Sequence, residues 1–175
     1  FMPPPPNEFG RISKTVGALA EGTSGAMYNS EYALSLAHPA FGTVATVNDL
    51  LRFGLLFSPS GLPIHNRHTL AAMTKDQTSG YATGGDEFFA GLPANAPIAW
   101  GLGFMIQTPS LPAMLCDLAP FGAFGHGGAT GCQLIIDPVN DVVIALVSNT
   151  HVNSGLERWR FRVDTICNSV YSILD

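Results

Sequence analysis

Apolar residues along this chain follow two periods, helical before about residue 75 and strand-like after about residue 99. Val47, Leu50, Leu51, Leu55 and Phe57 recur at helical spacing on more than one stripe. That predicts a helix from about Val47 to Phe57, buried on most sides. Thr46-Val47-Asn48-Asp49 is a capping box, in which the Thr hydroxyl serves an orphan amide while Asp49 reaches back to the cap. Ser58-Pro59-Ser60-Gly61 stops the helix. A shorter helix follows from about His68 to Lys75, with Leu70 and Met73 inward. Residues 1–40 are rich in Pro, Gly, Ser and Ala with no sustained period, and read as irregular chain. Residues 78–98 carry Gly80, Gly84, Gly85, Gly91, Pro93 and Pro97 and read as one long loop.

From residue 99 the period becomes two. Trp100, Leu102, Phe104 and Ile106 alternate with Gly101, Gly103, Met105 and Gln107, the pattern of a strand with one packed face and one face of close approach. A connection from Thr108 to Pro120 leads to a strand around Phe121 to Gly125. Leu134-Ile135-Ile136 and Val142 to Ser148 flank the turn Asp137-Pro138-Val139-Asn140-Asp141 and predict a hairpin. The unbroken apolar run Val142 to Val147 implies burial on both faces and a central place in the sheet. Leu156, Trp159, Val163, Ile166, Val170 and Ile173 predict a last helix, from about Ser154 to Leu174, lying on that sheet. Helical segments over 46–75, three or four antiparallel strands over 99–149 and a packing helix over 154–174 make an α+β fold.

Composition adds a constraint on the surface. Of 175 residues 46% are hydrophobic and 12% charged, against roughly 25% charged in an ordinary domain. Some apolar surface is therefore expected to meet a partner. The net charge is −5 with two lysines, Lys14 and Lys75, so no basic patch offers itself to nucleic acid. The longest apolar run falls far below the roughly 20 residues of a membrane span. The opening Phe1-Met2 and Pro3 to Pro6 lack the charged and apolar regions of a signal peptide. Cys116, Cys132 and Cys167 have no metal-ligand spacing. They read as buried small hydrophobes, or as one disulfide and a free thiol, and favour a reducing, cytoplasmic compartment. His38, His65, His68 and His151 lack the pairing and acidic neighbours of a metal site, and no cofactor is implied.

The segment that carries chemistry is Phe124-Gly125-His126-Gly127-Gly128-Ala129-Thr130-Gly131. Its four glycines allow another backbone or a ligand to come close, as a strand edge must when it presents amides to a substrate carbonyl. The alternative is a glycine-rich bulge whose His126 bonds a backbone carbonyl. A triad of Ser148, His126 and Asp137 is conceivable on paper but has no G-x-S-x-G elbow to support it. Trp100 and Phe104 are expected in the core.

From residue 40 onward the chain resembles the C-terminal half of the serine β-lactamase and penicillin-binding-protein family, most closely its class C branch and the related esterases and peptidases. Phe41 to Phe53 is similar to the family's glycine, Ser/Thr and Asp-Leu helix start. Trp100-Gly101-Leu102-Gly103-Phe104 resembles its G-x-G-[FW] strand, and His126-Gly127-Gly128 its third motif, K-T-G or H-x-G. Asp137-Pro138 with Val142 to Asn149 resembles its terminal hairpin. The resemblance implies that the Ala129 amide is one half of an oxyanion hole, a donor of a kind typically contributing about 10²–10³-fold in rate. It places His126 where class C members carry Lys, able to bond the catalytic Tyr or the substrate. Gly127 and Gly128 would keep the edge open, and Asn149 would touch a substrate carboxylate. Residues 121–129 are expected to form a strand whose edge faces a cleft.

Two family motifs are absent. No S-x-x-K occurs, since Arg11 and Ala72 stand three places before Lys14 and Lys75, and no tyrosine is followed two places on by Asn. In the family both lie upstream of the matched part. The resemblance thus implies one half of a single domain, with residues 1–175 completed by an N-terminal half that carries the nucleophile, and inactive alone. The expected reaction is acyl transfer from a small ester, amide or lactam to water. His at the third motif favours an esterase or peptidase. The rival expectations are a non-catalytic binding or assembly module of the same fold, and an acyltransferase.

Overall fold

The computed structural model of the chain describes residues 3–16, 24–40, 42–61, 66–79, 81, 96–111, 114–151 and 156–174. Most of the predicted 78–98 loop, His65 and residues 154–155 of the predicted last helix lie outside the described residues, as does the packing of Leu156 and Trp159. Five strands form one sheet in sequence order: β1 (Ala99–Trp100), β2 (Met105–Ile106), β3 (Phe124–Gly127), β4 (Gln133–Asp137) and β5 (Val142–Leu146). Every neighbouring pair is antiparallel. Among the described residues four helices accompany them: α1 (Glu31–Leu36), α2 (Val47–Leu55), α3 (Arg67–Thr74) and α4 (Leu156–Tyr171). The α+β class expected from the sequence is the class found.

The sheet separates two apolar clusters, and the pleat decides which residue joins which. Phe104, Ile106, Phe124, Leu134 and Ile136 meet Phe57, Leu50 and Leu56 of the α2 region and Leu70 and Met73 of α3. The rings of Phe57, Phe104 and Phe124 pack edge-on with centroids 5.1 to 6.5 Å apart, each such contact adding about 0.5–1.5 kcal/mol beyond simple burial. On the opposite face Met105, Ile135 and Ile144 meet Leu115 and Cys116 and the α4 residues Val163, Cys167 and Tyr171.

Helix α2 begins as its sequence dictates. The Asp49 amide donates to the Thr46 hydroxyl at 3.2 Å, and the Thr46 amide to the Asp49 carboxylate at 3.0 Å, a cap contributing about 1 kcal/mol. The Thr46 amide and hydroxyl hold the Asp49 carboxyl below the usual carboxylate range. Gly54 brings the helix close to the sheet, since a Cβ there would sit 2.5 Å from a methyl of Val143. The helix is not buried on most sides, however. Val47, Phe53 and Leu55 remain 40–45% exposed, because the described residues packed against the helix, chiefly β4 and β5, cover one side of it.

Four further expectations are corrected. The alternation from Trp100 to Ile106 is no single strand: β1 and β2 form a hairpin with Ala99 opposite Ile106 and Trp100 opposite Met105. The Gly101 amide donates to Phe104 O at 2.8 Å, and Gly103 holds φ 90°. Glycines two apart mimic strand alternation while building a turn. Strand β3 starts at Phe124 and not near Phe121, because Gly122 takes φ 92° in a turn closed from the Ala123 amide to Pro120 O. It ends at Gly127, so the expected strand over 121–129 shrinks to four residues.

The third correction concerns β5, which among the described residues is the end strand of the five and not a central one. Its faces meet both layers, with Val143 and Ala145 against the α2 cluster and Val142, Ile144 and Leu146 against the α4 cluster, but only Ile144 is fully buried and Val147 is 48% exposed. Apolarity on both faces reports covering layers and says nothing of neighbours along the hydrogen-bonding direction. The fourth concerns α4, whose buried stripe is Val163, Cys167 and Tyr171, while Ile166 and Ile173 face outward. Residues 1–40 are also less irregular than expected. They hold 3₁₀ turns over Pro6–Arg11 and Ser24–Asn29, and α1, whose cap Ser30 accepts from the Ala33 amide at 3.2 Å.

Candidate functional site

The two halves of β3 have different neighbours. Phe124 and Gly125 are paired on both sides, with Ile106 and Met105 of β2 and with Ile136 and Ile135 of β4. His126 and Gly127 pair with Leu134 and Gln133 on the β4 side alone. A Cβ on Gly125 would overlap the carbonyl oxygen of Leu134, so that glycine is demanded by packing. Amides alternate in direction along a strand. Ala123 O accepts from the Gln107 amide on the β2 side and the Gly128 amide donates to Cys132 O on the β4 side, at 2.8 Å each. The amide and carbonyl of Gly127 therefore face the side that β2 leaves open.

Beyond Gly127 the chain turns. The Gly131 amide closes the turn onto Gly128 O at 2.9 Å, with Gly131 at φ 79°. Ala129 is exposed within this turn, and its amide has no hydrogen-bond partner among the described residues. A Cβ on Gly128 would meet only the Cys132 side chain and carbonyl, at 3.5 and 3.8 Å. The backbone there tolerates a side chain, unlike Gly125.

His126 is exposed, and its Nδ1 lies 2.7 Å from Gly127 O. That carbonyl only accepts, so Nδ1 is the donor in this contact. This is the backbone bond that the alternative reading of the segment anticipated. The ring also lies 5.7 Å from that of half-buried Trp100, tilted by 51°. Sequence reasoning placed Phe104 and Trp100 in the core. Phe104 is there, whereas Trp100 sits at its margin beside His126. The neighbourhood was not readable from the sequence, because the β1–β2 hairpin that creates it was taken for one strand.

Asn149 lies past the end of β5, two strands from His126 and four residues beyond Ala145, the β5 residue in register with His126 through Leu134. Its side-chain amide donates to Lys14 O at 2.8 Å, beside a bridge between Val16 and Thr150. The paper triad is not assembled. The Asp137 carboxylate, fully buried, accepts from the amides of Val139 and Asn140 and from the Asn140 side chain at 2.7 to 3.1 Å. The Ser148 hydroxyl accepts from the Thr150 amide. A small cleft of about 110 Å³, lined by Asp76, Thr78, Tyr81, Ile98 and Thr108 among others, does not include His126 to Ala129. No described helix is long and apolar enough to cross a membrane.

Comparisons with known proteins bear on this geometry. A family model described as Beta-lactamase matches residues 2–165. A crystal structure of a beta-lactamase from Mycobacterium bovis is similar to the chain, with 23% identity, a TM-score of 0.54, and coverage of 93% of this chain and 52% of that one. The likeness supports the fold, and the chain spans about half the length of that structure. No curated protein matches it.

Proposed function

The chain belongs to the beta-lactamase family, whose fold is of the serine-hydrolase type, and on that premise we propose that His126 to Ala129 form one wall of an acyl-transfer site. The observation that carries the reading is the one-sided pairing of His126 and Gly127, followed at once by an unpartnered Ala129 amide. A serine from the N-terminal half attacks an ester, amide or lactam carbonyl, with a Lys/Tyr pair of that half as base. Negative charge gathers on the carbonyl oxygen, and the Ala129 N–H donates to it together with the amide of that serine. Expulsion of the leaving group gives an acyl-enzyme that water cleaves. Nε2 of His126 accepts a hydrogen bond from the catalytic Tyr or from substrate. Gly127 offers its amide along the open edge, and Gly128 leaves room for the substrate. Asn149 has to leave Lys14 to meet a substrate carboxylate, so its part is the smallest.

Completion by the N-terminal half is supported by the outer edge of β5, unpaired by any strand among the described residues, and by the exposed apolar side chains of α2. Histidine in the third motif favours ester or peptide substrates over lactams. The test is hydrolysis of a chromogenic ester and of nitrocefin by the full-length protein, with the ester expected to turn over faster. Turnover of neither by a protein with S-x-x-K upstream contradicts the proposal. The bond from His126 Nδ1 to Gly127 O favours the second reading, a binding module of the same fold, and absence of S-x-x-K upstream decides for it.

A further inference from the structure

The three cysteines are free, but two of them are neighbours. Cys116 lies in the segment that leads towards β3, and Cys167 lies on α4. Both are wholly buried in the same apolar cluster. Polar bonds clamp segment and helix together on either side of the pair. The Arg160 guanidinium donates to Met114 O at 3.4 Å, the Leu118 amide donates to the Asn168 side chain at 3.0 Å, and Asn168 donates in turn to the Asp117 carboxylate at 3.0 Å. The residues next in sequence to each cysteine, Asp117 and Asn168, are thereby bonded to one another, and the two thiols lie in the same buried cluster. Cys132 is placed elsewhere, with its thiol on Ser148 O at 3.3 Å and beside the Thr130 hydroxyl.

We propose that Cys116 and Cys167 are a latent disulfide, left as two thiols in a reducing compartment and closed by exchange with a small-molecule disulfide such as oxidised glutathione. A disulfide needs Cα atoms about 4.4–6.8 Å apart, and the bond from Asn168 to Asp117 holds the two backbones together beside the pair. The Cys167 thiol, by bonding Cys116, holds it below the ordinary thiol value, whereas that bond and burial push Cys167 up. Opening of the 114–118 segment exposes Cys116, which is the first thiolate. Its sulfur attacks one sulfur of oxidised glutathione and expels a glutathione thiolate, giving a mixed disulfide. Cys167, losing its proton, attacks the Cys116 sulfur and expels the second glutathione. Two protein thiols are oxidised and one glutathione disulfide is reduced to two thiols. Burial makes the first attack depend on local opening of the 114–118 segment, so the reaction is slow on the closed fold and quickens in mild urea. The product ties α4 covalently to the segment leading to the His126 strand, closing a loop of about 50 residues.

The full-length protein is incubated with oxidised glutathione at rising urea concentrations below its unfolding transition, alkylated, and digested without reduction. The expected map joins the Cys116 and Cys167 peptides and leaves Cys132 alkylated. Melting temperature rises by about 5–15 °C and returns on treatment with dithiothreitol. In Cys167→Ser, Cys116 should accumulate as a glutathione mixed disulfide with no such rise. If that variant fails to fold, the wild-type map decides alone. Cys116 and Cys167 both alkylated at every urea concentration, each capped by glutathione without joining, or either joined to Cys132, overturns the proposal.

Discussion

Strand β4 has a connection at each end, and the two treat their polar groups differently. At its far end the Asp137–Asp141 turn leaves little unused. Asp137 takes three donors, and the Asp141 carboxylate accepts from the Ser58 hydroxyl and the Ser60 amide, fastening the hairpin to the end of α2. At its near end the Gly128–Cys132 connection is held by two backbone bonds and leaves the Ala129 amide unpartnered among the described residues. Both are tight turns with a left-handed residue, Asp141 in one and Gly131 in the other. Where the protein satisfies its own groups the turn contributes stability. Where it leaves them open, a ligand can complete the bonds.

The largest expected effect separates these roles at the open end. Gly128→Val adds a branched side chain whose Cβ meets Cys132 at ordinary contact distance. Turnover by the complete enzyme should fall by at least about 100-fold, while the melting temperature stays within about 3 °C. A parallel loss of both would mean that Gly128 serves packing, as Gly125 does, and the contrast would collapse. At the closed end the opposite split is expected. Asp137→Ala should cost about 1–3 kcal/mol of stability by freeing its three donors, with kcat of the folded protein changed by less than about twofold.

The smallest effect is one of pH. Hydrogen bonds from Ser58, then from Ser60, depress the Asp141 carboxyl below the usual carboxylate range. Its contribution to stability is thus complete above the unfolded value of about 3.9 and is lost as pH falls through the lower folded value. Asp141→Asn, which suits the same backbone conformation, should flatten this part of the acid limb in urea melts at successive pH values below about 4. An unchanged slope would remove Asp141 from the account of the closed turn.

The closed end was legible in the sequence and the open end only by resemblance. Asp137-Pro138 between two apolar runs announces a turn with its own chemistry, and Thr46 with Asp49 announces a helix start. Each depends on residues within a few places of one another. The β1–β2 hairpin was misread because Gly101 and Gly103 satisfy the spacing of a strand, and only the carbonyl of Met73 packed against Gly101 settles the bend. The edge position of β5 was hidden for a related reason, as its side chains record the layers above and below and its backbone partners leave no trace in them. For Gly125 and Gly128 the letters are identical. What divides them is the Leu134 carbonyl overlapping a Cβ at one and ordinary contact with Cys132 at the other.

The central claim is that this chain carries half an oxyanion hole and that the nucleophile lies in the N-terminal half. A phosphonate ester probe, which traps an activated serine covalently, tests it on the full-length protein by mapping the labelled peptide. The account predicts label on the serine of an upstream S-x-x-K, none on residues 1–175, and strongly reduced labelling in Gly128→Val. Label on a serine of this chain would contradict it.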